Sequence, residues 1–354
     1  MNTLKAITLS SLSLSASVFA HGSKDTLPQA GLWNSARPDS HAPISVMADH
    51  THSAGEWMFS YRYMKMHMED LYDGDSKISN TMMNTGYMGR PLEMDMDMHM
   101  FGMMYAPTDT ITLMAMTNYV KNSMDMVMGP MNTPMEMESE GWGDTSIGGL
   151  YKFYDADNKR AHLGLSLSLP TGSTDETTEM TMMGMNGMPM TMTHHQPFPM
   201  QLGTGTFDLL PSITYLDQPN DFWSWGAQLK GRIHLGDNDE GYSFGDSISA
   251  TSWTAANVTN WASLSFRLAA TSWSSIDGDT NNSLNMPMMP NMSSPADPDN
   301  HGGTRIDAGI GLNLWHPTSG FRVATEFIMP VYQKLNGPQL GQDWTLTLGT
   351  QYAW

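Results

Sequence analysis

The residues with the most distinctive chemistry are methionines that recur at every second position of Glu93–Ala106, which reads EMDMDMHMFGMMYA. A period of two predicts a β-strand, because successive side chains point to opposite faces. Four thioethers then share one face, whereas two carboxylates and the imidazole of His99 share the other. Same-face neighbours lie about 6.5–7 Å apart. A metal bound to this ladder would therefore need further ligands from a neighbouring strand or loop.

Methionine is clustered along the chain. The sequence has 36 Met and no Cys; 21 Met lie between Met58 and Met137, eight between Met180 and Met200, and four between Met286 and Met292. Thioether sulfur is a soft ligand that selects Cu(I). The sequence therefore predicts a soft-metal site, with copper(I) as the ion and no covalent cofactor. The candidate ligands are Met64, Met66, His67, Met68, Met94, Met96, Met98, His99, Met100, Met124, Met126, Met128, His194 and His195.

Three other interpretations of the methionines remain open. Met is a flexible apolar filler of irregular cores and forms adaptable surfaces for organic ligands. It also oxidises reversibly to the sulfoxide and so quenches oxidants. Filler explains Met114 and Met116 in an apolar strand, but it explains the Gly-, Pro- and Thr-rich segment 180–192 poorly. The leading interpretation is that these Met and His residues bind the soft metal and transport it. The alternatives are a channel for small hydrophobic or aromatic compounds, or a non-transporting surface protein that sequesters metal or quenches oxidants.

Several histidines precede the first predicted strand. His50 and His52 would share a face of an extended segment, and we expect them to belong to a solvated arm. His21 would offer an α-amine and an imidazole together if a signal peptide ended at Ala20. This chelate depends on a single predicted cleavage site.

Composition and motifs exclude several classes of function. The net charge of −19 argues against nucleic-acid binding, which requires a basic surface. The absence of Cys excludes disulfides and thiolate chemistry. The sequence contains no Gly-rich phosphate loop, nucleophile elbow or Ser-His-Asp set. An enzyme is therefore not expected.

The chain begins with a predicted signal peptide at residues 1–20, in which Lys5 precedes an apolar stretch and Val18-Phe19-Ala20 supplies small residues for cleavage. Residues 21–56 are polar and interrupted by prolines, so we expect a periplasmic arm or plug. No later apolar run is long enough for a transmembrane helix. A membrane location would therefore require a β-barrel.

Residues 57–354 alternate polar and apolar side chains in long strands, a pattern typical of an all-β, transmembrane antiparallel outer-membrane barrel. The short turns would lie on the periplasmic side and the long loops outside the cell. Phe101, Met103 and Tyr105 favour an inward-facing Met94–Met100 unless a bulge near Gly102 reverses the alternation. The predicted lumen cations are Arg62, Lys230, Arg232 and Arg267. We expect twelve strands, at 57–68, 93–105, 111–127, 142–154, 161–170, 202–216, 222–235, 247–257, 261–273, 305–316, 321–330 and 342–354.

Several blocks of sequence carry a family resemblance. They include WMFSYRYMKMHM, MDMHMFGMMYAPTDTITLMAM, GWGDTSIGGLYKF, LSLSLPTGS, PMQLGTGTFDLLPSITYL and SWGAQLKGRIHLGDNDEGY. In order and wording the chain from Trp57 onward resembles a family of outer-membrane "transporter" β-barrels grouped with phenol meta-pathway degradation proteins. The resemblance implies a porin-like barrel in the outer membrane of a Gram-negative envelope and implies little about the substrate. The partners that we expect are outer-membrane lipid and a metal ion or small hydrophobic molecule. It implies no catalytic or binding residue.

Overall fold

The computed structural model describes residues 33–183, 189–278, 292–316 and 319–354. The predicted signal peptide, His21, Met286, Met288 and Met289 lie outside the described residues. No helix in the described ranges has the length and apolar character needed to cross a membrane. One short helix, α1, covers Met82–Thr85, and 3-10 turns cover Pro38–Ser40, Phe198–Met200, Ser294–Ala296 and Pro298–His301.

Almost all regular structure is β. The strands are β1 (Trp57–Gly74), β2 (Ser76–Ile78), β3 (Gly89–Tyr105), β4 (Ile111–Met128), β5 (Thr133–Trp142), β6 (Thr145–Ala156), β7 (Lys159–Leu169), β8 (Thr177–Met183), β9 (Pro189–His195), β10 (Phe207–Asp217), β11 (Trp223–Leu235), β12 (Tyr242–Ser243), β13 (Ser247–Thr259), β14 (Ala262–Trp273), β15 (Asp277–Gly278), β16 (Gly303–His316) and β17 (Phe321–Ala353).

Eleven of these strands form one closed antiparallel barrel, in the order β1, β3, β4, β6, β7, β10, β11, β13, β14, β16 and β17. The seam between β17 and β1 closes the ring. At one end of the seam the Trp57 and Trp354 backbones exchange two hydrogen bonds, of 2.9 and 3.0 Å. Closure leaves no unpaired sheet edge, which is what a lipid environment demands.

The last strand is a hairpin. Its residues 321–335 pair with β16, and its residues 335–353 pair with β1. The Ala353 amide donates to the Gly320 carbonyl at 3.2 Å, so the two ends of β17 lie side by side. The reversal falls at Gly337, whose φ of 65° favours glycine. Because β17 contributes two spanning segments, the barrel wall has the predicted twelve; the predicted loop 331–341 is instead the hairpin tip.

The outer face of the barrel is apolar and the inner face is mostly polar, as the alternation predicts. Exposed outward side chains include Phe101, Ile147, Leu165, Ile233, Phe266, Ile310 and Phe327. Buried inward side chains include Ser166, Thr214, Gln228, Ser265 and Thr347. This apolar outer belt around a polar interior identifies an outer-membrane β-barrel.

Two segments predicted as loops contain strands. Residues 129–141 were expected to be a loop, but β5 pairs with β4 over Tyr119–Met128. The first part of β4 pairs with β6 instead, so the predicted strand 142–154 is broken at residues 143–144. In the predicted loop 171–201, β8 and β9 form a separate hairpin. The alternation in β5 is short and lies beside turn residues, and the sequence of this segment therefore predicts a loop.

Residues 38–52 lie mostly buried inside the barrel, and the segment 33–56 that contains them is here called the plug. Their backbone carbonyls have no sheet partner and accept hydrogen bonds from lumen side chains instead. Arg322 donates to the carbonyl of Ala42 at 2.6 Å, and Gln228 donates to that of Met47 at 3.0 Å. His162 Nε2 lies 2.9 Å from the carbonyl of Ala48. The expectation of a solvated setting is therefore wrong for His50 and His52, which are both buried.

Candidate functional site

The methionine ladder of β3 points into the barrel. Pairing between β1 and β3 runs without a register shift from Trp57–Tyr105 to Glu69–Glu93, so no bulge near Gly102 reverses the alternation. Phe101 and Met103 are exposed on the outer face, whereas Met94 and Met104 are buried.

Methionines from neighbouring strands lie in register beside this ladder. Met68 pairs with Met94, Met94 with Met124, and Met124 with Met137, which makes one row across β1, β3, β4 and β5. Directly opposed Cβ atoms in such pairs lie about 4.5–5.5 Å apart. Further opposed pairs are Met66–Met96, Met64–Met98 and Met126–Met135.

The part of this wall nearest the long loops is a packed core. Met94, Met124, Met126 and Met137 are no more than 2% exposed, and they pack with Met200 and Ala296 from two loops that fold inward. Met68, Met96, Met128 and Met135 pack at its edge. The Ser139 hydroxyl donates to the Met200 carbonyl at 2.6 Å. Packing thus accounts for this group, here called the methionine core.

The histidines predicted to share a metal with the ladder lie elsewhere. His67 and His99 are on the outer face, where His67 Nδ1 is 2.9 Å from Asp95 Oδ1 and His99 Nδ1 is 2.8 Å from the Tyr61 hydroxyl. Joint ligation by these imidazoles and the inward thioethers is wrong, because the barrel wall separates them. His194 and His195 belong to β9, on the separate β8–β9 hairpin.

A cavity of about 670 Å³ lies between the plug and the inward-folded loops. Met47 and Ala48 of the plug lie at one end, and Phe198 and Phe244 of the loops line it as well. One side is apolar and comes from β3, β4 and β6: Met96, Met98, Met100, Met114, Met116, Val120 and Leu150. Sequence reasoning did not identify these plug and loop residues as part of the cavity, because their positions depend on long-range folding of irregular segments.

Across the lumen, β11 presents Lys230, Arg232 and His234 to the same cavity. Arg232 and His234 approach Asp208 Oδ2 at 3.7 and 3.8 Å. Lys230 is exposed to the lumen and makes no hydrogen bond or ion pair within the described ranges of the chain. The carboxylate of Asp144, which also lines the cavity, already accepts the amides of Gly172 and Thr204.

All four predicted lumen cations face inward, but they serve different purposes. Arg62 donates to the Ile44 carbonyl at 3.0 Å, and Arg267 donates to Glu326 Oε1 at 2.6 Å. Arg62 therefore binds the plug, whereas Arg267 forms an ion pair between two strands of the barrel wall. Lys230 and Arg232 remain as the cations of the large cavity.

The comparisons with known proteins support the fold. No family model matches the chain, and no curated protein sequence matches it. The crystal structure of an outer membrane channel from Pseudomonas putida F1 is similar, with a TM-score of 0.58 and 12% identity over 88% of this chain and 100% of that one. More distant barrels are the P. putida toluene transporter TodX (TM-score 0.41, 11% identity, 92% and 94% covered) and the β-domain of the Bordetella autotransporter BrkA (TM-score 0.43, 10% identity, 86% and 100% covered).

The fold defines the class: the chain is an outer-membrane β-barrel, and its N-terminal segment occupies the lumen. The family resemblance seen in the sequence blocks stays a prediction.

Proposed function

We propose that the barrel admits small organic molecules that combine an apolar or aromatic body with an anionic group. The observation that supports this proposal is the two-sided cavity, with thioethers on one wall and Lys230 and Arg232 on the other. Its volume of about 670 Å³ falls within the range of small-molecule sites, roughly 300–1,000 Å³.

Each wall suits one part of such a molecule. Unbranched Met side chains adapt to apolar and aromatic surfaces of different shapes. An unpaired ammonium inside a barrel attracts a carboxylate, because the surrounding protein screens charge less than bulk water does. Basic residues lining a lumen also favour anions over cations. The similar fold of an outer membrane channel is compatible with passage through the lumen.

Benzoate binding tests the proposal. Intrinsic tryptophan fluorescence of the refolded barrel reports binding, because Trp273 lines the cavity. We expect benzoate to bind more tightly than benzyl alcohol or benzylamine. Lys230→Met should weaken benzoate binding by about tenfold, the value of one charge-assisted hydrogen bond. Binding of benzyl alcohol should not change.

Lys121→Met is the matched control, because Lys121 lies on the outer side of β4 beside Glu138. It removes the same charge and should leave benzoate affinity unchanged. An equal loss of benzoate affinity in both variants would show that the effect arises from net charge rather than from the position of Lys230. Failure of all three aromatics to bind would overturn the proposal. Benzoate uptake into proteoliposomes then separates a channel from a closed receptor.

Soft-metal binding is a second candidate, supported by the in-register row Met68–Met94–Met124–Met137. Thioethers in this arrangement could share one Cu(I) ion if the core opened. A Cu(I) titration against a chromophoric chelator tests it, beside a variant with Met94, Met96, Met98 and Met100 changed to Leu. Binding that the variant weakens would support the site; binding that is absent or unchanged would exclude it.

A further inference from the structure

Three potential ligands meet inside the plug, away from the cavity and the methionine core. Ligand atoms of His41, Asp49 and His50 all lie within 4.8 Å of one another. The imidazole rings of His41 and His50 are 4.6 Å apart between centroids, and His52 lies 4.8 Å from His50. All four side chains belong to residues that are no more than 9% exposed.

The nitrogens of this cluster lack the partners that burial requires. Among the described residues, neither ring nitrogen of His41 has a hydrogen-bond partner, and the Nε2 atoms of His50 and His52 have none either. A buried polar atom without a partner costs about 1–3 kcal/mol. These nitrogens are therefore candidates for binding an ion that accepts nitrogen lone pairs.

The hydrogen bonds that do exist orient the free nitrogens. His50 Nδ1 lies 2.8 Å from Asp49 Oδ1, and His52 Nδ1 lies 3.2 Å from Glu56 Oε1. A histidine that binds a metal through one nitrogen commonly uses the other to contact a carboxylate, which fixes the orientation of the ring. Asp49 is itself held, because the Ala42 amide donates to its Oδ2 at 3.0 Å.

The backbone between these residues is turned at some cost. Ala48 has a φ of 56°, in the left-handed region that a non-glycine residue rarely occupies. This turn precedes Asp49 directly and brings His50 back against His41. Unfavourable backbone of this kind is often found at functional sites.

We propose that His41 and His50, together with Asp49, bind a divalent transition-metal ion of the zinc class, and that His52 is the nearest additional donor. Two imidazoles and a carboxylate match the ligand preference of Zn(II), Co(II) and Ni(II). Mg²⁺ and Ca²⁺ prefer sites made of oxygen ligands. Ligands of a tetrahedral zinc lie about 3.4 Å apart, given bonds of about 2.1 Å, so small side-chain rotations complete the site.

A cation lies near the cluster, since Arg322 interacts electrostatically with both His41 and Asp49. Its positive charge disfavours a metal cation at the cluster. The guanidinium donates hydrogen bonds to the Ala42 carbonyl, Asn313 and Gln351.

A metal at this site would fasten the plug. His41 and His50 flank the turn that carries Ile44, Ser45 and Met47 to the barrel wall and the cavity floor. Ser45 contacts Glu326 and Thr347, and Gly349 packs against Ile44. The ion would cross-link the two ends of this turn and thereby hold the lower boundary of the cavity.

Cobalt and zinc binding to the full barrel in detergent micelles tests the proposal. We expect one equivalent of Co(II), with the visible absorption of a low-symmetry four- or five-coordinate ion, and displacement of Co(II) by Zn(II). His41→Gln and His50→Gln should each weaken binding by more than about 100-fold, and Asp49→Asn by about 10–100-fold. His316→Gln is the matched control, because His316 lies at the barrel end, beside Ser319.

A second readout measures protection of residues 38–52 from hydrogen exchange, which zinc should increase in the wild type and not in His41→Gln. Folding of each variant is checked by its heat-dependent migration in gel electrophoresis. Binding below half an equivalent in the wild type would overturn the proposal. So would binding that survives both histidine substitutions, or zinc binding that is lost only when the ladder methionines are changed to Leu.

Discussion

Met94 shows what a methionine of the core contributes as a single residue. It is 2% exposed and packs in the methionine core. Met94→Leu preserves volume and should cost less than about 1.5 kcal/mol of unfolding free energy. Met94→Ala leaves a cavity and should cost about 2–5 kcal/mol. Urea unfolding of the barrel in micelles measures both.

Met83→Ala is the matched control for this prediction. Met83 is 93% exposed, so its truncation should change the free energy of unfolding by less than about 0.5 kcal/mol. A cost for Met94→Leu as large as that for Met94→Ala would show that the sulfur atom, rather than side-chain volume, stabilises the core.

At the residue scale, alternation predicts an inward direction for Arg62, Lys230, Arg232 and Arg267, and the contacts described above place these side chains in the lumen. Alternation cannot predict that Arg62 donates to the Ile44 carbonyl and Arg267 to Glu326, because these hydrogen bonds join distant parts of the chain. The contact between His41 and His50 cannot be predicted from the sequence either. The two histidines are nine positions apart in the sequence, and the turn at Ala48 brings them together.

The loop element that carries His301 should respond to pH. His301 Nε2 lies 2.9 Å from the Pro295 carbonyl, and its ring packs against Phe198 at 5.2 Å. Burial lowers the pKa of His301 to about 4. A group whose pKa is lowered by folding stabilises the folded loop above its unfolded pKa, about 6.5, and that contribution is lost as pH falls toward 4. We expect residues 294–302 to open between pH 6.5 and 4.

Hydrogen exchange of this loop at pH 7 and at pH 5, corrected for the intrinsic rates, measures the opening. His301→Asn should remove most of the pH dependence. Exchange through β16, which has no part in this contact, serves as the internal reference. Equal protection at both pH values in the wild type would contradict the prediction.

At the element scale, strand periodicity predicted the barrel wall well and the loops poorly. The barrel strands β7, β10, β11, β13, β14 and β16 lie close to the expected ranges, because lipid on one side and water on the other impose a period of two. That constraint ends where the sheet leaves the membrane. The β4–β5 extension and the β17 hairpin tip are stabilised by strand pairing outside the membrane. Their sequences therefore need no alternation of polar and apolar residues, and periodicity does not reveal them.

For the whole molecule, the plug should control conductance. Residues 38–48 hydrogen-bond to lumen side chains of β7, β11, β14 and β17. Deletion of residues 33–48 should raise single-channel conductance several-fold, because it opens the lumen below the cavity. Ser45→Ala keeps the plug and should retain the wild-type conductance. An unchanged conductance after deletion would place the constriction in the inward-folded loops.

The barrel wall is uneven in height, since β1, β3 and β4 have 17 or 18 residues whereas β7, β11 and β14 have 11 to 13. The described segments 196–206 and 292–302 lead into β10 and β16 and reach the tall side. There Met200 packs in the methionine core, and the Met292 carbonyl accepts a hydrogen bond from the Gly89 amide. Both segments thus bridge the mouth of the barrel from its shorter to its taller rim. Because thioether packing is non-directional, the contact of Met200 tolerates small displacements that would break a hydrogen bond.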